Sequence, residues 1–155
     1  MDEACLCEDV DRMNELYDDS ADLGFLLFIA VENNCPKSAA WLVGKGADVR
    51  ENDSYVVTLA QTSTVLKCLL QAGANAQTGG NIAMLRAALR DDADSVELLI
   101  RYDATVTSDA WDVAVINGHV ECVRAMLASH SRVDRDWARE YCWQNEVWDV
   151  YDLLE

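Results

Sequence analysis

VAVINGHVECVRAMLASHSRV (113–133) holds one complete helix-turn-helix unit. Gly118 can take the left-handed conformation that closes a first short helix, and Val120, Val123 and Leu127 then recur on one face of a second. The end of the stretch, AMLASHSRV (125–133), superposes on WLVGKGADV (41–49), CLLQAGANA (68–76) and LLIRYDATV (98–106). Gly46, Gly73, Asp103 and His130 then fall in register, at spacings of 27, 30 and 27 residues. Self-similarity at such a period is the signature of stacked supersecondary units.

Upstream of each segment lies a short helical pattern that ends in small residues: FIAVENN (28–34), TLAQTS (58–63), LRAALRDD (85–92) and VAVINGH (113–119). Extending the register by 27 from Ala114 reaches Tyr141, and from Val123 it reaches Val150, so 141–155 reads as a last, degenerate unit. The segment 7–22 resembles the second half of another. About five to six units result, enough for stacking to replace a globular core. Pro36 fits a first helical turn, where its missing N–H is not needed. Asp53/Ser54, Asn81, Ser108/Asp109 and Asp136 are expected to cap the first helices.

These residues resemble ankyrin repeats. GFLLFIAVENNCPKSAAWLVGKGADV (24–49) has the family's opening glycine, small-residue pair, turn, leucine-rich second helix and Gly-Ala-Asp. The Thr-Pro-Leu-His start of the usual unit is absent, and the period of 27–30 is shorter than usual. That format is similar to the compact ankyrin repeats of large DNA viruses, which implies a viral or phage origin. The resemblance implies an all-α, ankyrin-like solenoid in a single domain, with a capping half-repeat at 1–22, core repeats at 23–133 and a capping repeat at 134–155. It also implies a protein-binding module using its concave face and turn tips, with no catalytic residue and no cofactor. Fold alone does not set function, so the partner has to be argued from surface residues.

Composition sets the electrostatics. Of 155 residues, 28 are acidic and 12 basic, a formal net charge of −16. The charge divides as −8 over 1–22, +2 over 23–90 and −10 over 91–155. Such a balance opposes direct contact with nucleic acid or an anionic membrane and favours a basic protein partner. No run of about 18 uncharged apolar residues is present, and the N-terminus is acidic. The six cysteines form no compact framework. A soluble, cytoplasmic, reducing setting is the expectation.

The clearest departure from repeat logic is an apolar column two residues after the register alanine: Leu89, Ile116 and Trp143. The first repeat has Glu32 there. Asp112, Asn117, Glu140 and Gln144 flank the column. Two readings stand: an anchor groove rimmed by acids and amides, with Trp143 as its hot spot, or side chains tucked into the core by short loops. Trp148 and Tyr151, replacing Glu121 and Arg124 of the preceding unit, are a candidate homodimer contact or a cover for the last core edge. The ankyrin resemblance implies that Trp111 and Trp41 lie in the core and that His119, of the family's Gly-His pair, lies in a hydrogen-bonded turn.

Two isolated histidines make neither a metal site nor a nucleophile–base pair. Cys5 and Cys7 lack a second ligand pair. The clusters Asp91/Asp92/Asp94 and Asp18/Asp19/Asp22 lack the glycine and glutamate of a calcium loop, and Gly79-Gly80 is a turn, not a phosphate loop. Two functions follow: an adaptor or inhibitor gripping another protein through the apolar column, or an acidic decoy that imitates nucleic acid and occludes a basic nuclease or DNA-binding protein. The decoy reading fits viral or phage counter-defence. Salt separates them, since surface electrostatics are screened and apolar contacts are not.

Overall fold

The computed structural model describes residues 1–18, 20–129 and 131–155; Asp19 and His130, which the repeat and acid-cluster readings used, lie outside them. All regular structure among the described residues is helical. The chain clusters into two compact units, Met1–Thr78 and Gly79–Glu155.

In the first unit, α1 (Asp2–Leu6) and α2 (Val10–Leu16) precede the pair α3 (Leu23–Glu32) and α4 (Pro36–Gly44). The segment 7–22, which resembles the second half of a unit, contains the single helix α2, and α1 precedes it. The N-terminal segment is tied to its neighbour by the buried Ser38 hydroxyl, which donates to Cys5 O at 2.6 Å. Pro36 sits at the first turn of α4, as its geometry requires. Next come the short turn α5 (Glu51–Ser54), α6 (Val56–Leu59) and α7 (Ser63–Gln71). In TLAQTS the first helix ends at Leu59, because the chain turns extended at Ala60 (φ −57°, ψ 123°), and Ser63 already starts α7.

The second unit contains α8 (Thr78–Leu89, whose first residue belongs to the other unit), α9 (Ala93–Arg101), α10 (Ser108–Ile116), α11 (Val120–Ala128), α12 (Arg135–Asn145) and α13 (Trp148–Tyr151). Within it α9 packs on α11, α10 on α11 and α12, and α13 on α11 and α12. The register alanines Ala30, Ala60, Ala87 and Ala114 are all buried, and so is Val150 at the extended register position. Small side chains at these points let neighbouring helices approach closely.

The helix starts differ from the expected caps. Thr107 and Asp134 cap α10 and α12, accepting from Ala110 N at 3.3 Å and Trp137 N at 2.9 Å. Ser108, Asp109 and Asp136 lie one or two residues further on, inside the first turn. Asn52, Asp53 and Ser54 form a left-handed turn, and Gly79, Gly80 and Asn81 repeat it 27 residues later. There the side chains stitch turns together: Ser54 Oγ accepts from Asn75 N and Asn81 Oδ1 from Thr105 N, each at 3.0 Å. Asp9, Asp22 and Asp92 are caps as well, so part of the acidity serves helix starts, where the backbone dipole favours a carboxylate.

Trp111 is core, as expected, at 1% exposure. Trp41 is not: it is half-buried, donates from Nε1 to Asn14 Oδ1 at 3.0 Å, and packs edge-on against Tyr17, with Lys45 over both rings. It holds the N-terminal helices onto α4. All six cysteines are free thiols. Burial, aided by the Asp91 charge, pushes the Cys122 thiol up to about 12, so it stays protonated and donates to Asp91 Oδ1 at 3.6 Å.

Two glycines of the first unit give opposite expectations. Gly44 ends α4 with open space around it, so Gly44→Ala should stabilise by about 0.5–1 kcal/mol. Gly73 has φ +93°, and a Cβ there would meet Arg50 Nη2 at 2.8 Å, while the Arg50 Nε donates to Gly73 O. Gly73→Ala should cost about 1–2 kcal/mol from backbone strain. Urea melts of the two variants should therefore move in opposite directions.

Candidate functional site

The column Leu89, Ile116 and Trp143 lies wholly in the second unit, near the ends of α8, α10 and α12. Helix geometry explains its exposure. A residue two positions after a buried one is turned about 200° away from it. With Ala87 and Ala114 fully buried, Leu89 and Ile116 are turned outward and are 56% and 47% exposed. Trp143 is 60% exposed. The side chains are not tucked into the core, so their apolar character is unexplained by packing. His119 Nδ1 lies 2.8 Å from Ala88 O, which fixes the α10–α11 turn beside the end of α8.

Trp143 is held by its own repeat. Its ring lies 5.5 Å from Trp148, edge-on at 86°, and 6.0 Å from Tyr151, while Trp148 and Tyr151 are 6.1 Å apart. Such a cluster presents a rigid apolar surface at low cost in side-chain entropy. An open depression of about 440 Å³ beside it is lined by Asp136, Arg139, Glu140, Trp143 and Tyr151.

The flanking residues divide. Glu140 lines the depression and accepts from Gln144 Nε2, so those two are brought together with Trp143. Asn117 is exposed, but its amide donates to Val113 O at 2.8 Å and finishes α10. Asp112 is half-buried on α10, and neither it, Asn117, Leu89 nor Ile116 lines the depression.

Loss of solvation, and secondarily the charges of Asp109 and Asp134, hold the Asp112 carboxyl above its ordinary value. The folded state thus binds that proton more tightly than the unfolded chain, and ionisation destabilises the fold. The penalty is present above the folded-state value and vanishes as pH falls below the usual carboxylate range. Asp112→Asn should raise the melting temperature at pH 7, with the gain shrinking on acidification. A gain that stayed constant with pH would mean the carboxylate charge is not the cause.

An exposed aromatic pair in the first unit escaped sequence reading. Phe25 and Tyr55 each stand five residues before a register alanine and are 55% and 50% exposed. The signal was their spacing of 30. It was hidden because GFLLFIAV is apolar all round, so no polar face marks which side of α3 meets water. In the first unit, Phe25, Phe28 and Tyr55 line a pocket of about 270 Å³ together with Asp22, Asp48 and Glu51.

Paired short helices in register, tight left-handed turns and buried alanines define the ankyrin-repeat fold. The chain is similar over 98% of its length, with a TM-score of 0.68 and 22% sequence identity, to the crystal structure of EF0377, an ankyrin repeat protein, of which 94% is covered. No protein-family model and no curated protein matches the chain. No helix among the described residues is long and apolar enough to cross a membrane.

Proposed function

We propose that the chain is a non-enzymatic protein-binding module, an adaptor or inhibitor, whose anchor is the column Leu89, Ile116 and Trp143 on the first-helix face of the second unit. One observation carries this reading: three apolar side chains at one repeat position are each about half exposed or more, where the geometry would suit polar residues equally well. Trp143, braced by Trp148 and Tyr151, is the hot spot, and Glu140 and Gln144 form its polar rim. The ankyrin-repeat fold commonly serves protein–protein interaction, which accords with it.

The test is capture of a partner by tagged protein from cells of its source, washed at about 0.1 M and then about 0.5 M salt. A protein retained at high salt by the parent and lost with Trp143→Ala supports the anchor. Release of everything by salt, with only basic nucleic-acid-binding proteins caught, would replace it by the acidic decoy. Light scattering of the free protein across a wide concentration range reads the homodimer contact at Trp148 and Tyr151. A mass rising towards twice the monomer would make a second copy the occupant.

A further inference from the structure

The pocket of the first unit has more carboxylates and rings than the depression beside Trp143, and no basic residue in its lining, where that depression has Arg139. Three carboxylates (Asp22, Asp48, Glu51) and three aromatic rings (Phe25, Phe28, Tyr55) line one cavity of about 270 Å³. Asp22 and Asp48 each engage one oxygen in a local turn, accepting from Phe25 N and Arg50 N at 2.9 Å. Among the described residues no lysine or arginine forms a salt bridge with any of the three. The neighbouring Arg50 donates instead to Gly73 O. Gly24 makes room for the third carboxylate, since a Cβ there would overlap the Glu51 carboxylate.

Negative charge beside aromatic rings suits one kind of occupant. A guanidinium is planar, stacks on a ring and donates from its edge to a carboxylate, whereas an anion is repelled and a neutral apolar group makes no use of the three exposed carboxylates. We propose that this pocket receives an arginine side chain from a basic segment of a partner protein. The assignment rests on reading the chain as a protein binder but uses none of the column residues, so the two can fail separately.

The experiment is an NMR titration of the uniformly ¹⁵N-labelled full chain with acetyl-arginine amide, with acetyl-citrulline amide as the neutral isostere. Saturable shifts confined to the amides of 22–28 and 48–56 are expected with arginine and none with citrulline. Tyr55→Ala and Glu51→Gln should each weaken the arginine response about three- to fivefold with unchanged helical CD. Gly24→Ala, which displaces only the flexible end of Glu51, should weaken it too. Trp143→Ala should leave it unaltered. Equal responses to citrulline, shifts scattered over every acidic surface, or full binding by both Tyr55→Ala and Glu51→Gln would each overturn the assignment.

Discussion

Trp111→Ala should lower the unfolding free energy by about 3–5 kcal/mol, a loss on the order of 10 °C in melting temperature for a chain of this size. The indole is 1% exposed, and its Nε1–H donates to Asp134 O at 3.1 Å. Asp134 is the cap of α12, so the substitution opens a cavity under α10 and also removes one of the two hydrogen bonds to its carbonyl, leaving that from Ala138 N at 3.3 Å. Trp111→Phe separates the two losses, because it retains most of the apolar volume and forfeits the hydrogen bond. It should cost roughly 1–2 kcal/mol. Differential scanning calorimetry of the pair measures both, and a Trp111→Ala shift of only a degree or two would show that the repeat closes over the gap.

Trp143→Ala should behave in the opposite manner. The ring is 60% exposed, and what it forfeits within the chain is edge contact with Trp148 and Tyr151, worth about 1 kcal/mol. Helical CD and the cooperative melt should survive. Partner affinity should fall roughly thirtyfold or more, the loss typical of a central hot spot. Loss of helical CD would mean that the aromatic cluster closes the core of the last repeat and is no docking surface. Trp148→Ala serves as the companion variant: it removes a brace and leaves the anchor, so its effect on affinity should be smaller than that of Trp143→Ala.

The two tryptophans look alike in sequence and differ by register. Trp111 lies three residues before the buried Ala114, on the same helix face, and its burial was legible from the resemblance, which puts it at a core leucine position. Trp143 lies two residues after Tyr141, on the opposite face, and its exposure was legible as one of two outcomes. Trp41 misled because its place in a second helix resembles a core position. One ring, Tyr17, and one hydrogen-bond acceptor, Asn14, both from the N-terminal segment and distant in sequence, hold it at the surface instead. The misassigned caps have a different cause: Ser, Thr and Asp are dense around each helix start, and which one accepts the backbone N–H depends on a single residue of phase.

Repeat period, helical class, left-handed turn positions and acidic balance all follow from local rules, because each unit is a short segment whose geometry is set by neighbours three or four residues away. The pocket around Phe25, Tyr55 and Glu51 follows from none of them. Its lining residues come from α3 and from the turn before α6, more than twenty residues apart, and only packing places those carboxylates and rings around one space. The aromatic cluster that braces Trp143 is likewise a product of α12 folding back on α13. Sequence periodicity specifies which face of a helix meets its neighbour; which exposed side chains then meet one another depends on how the helices are set side by side, and no single helix encodes that.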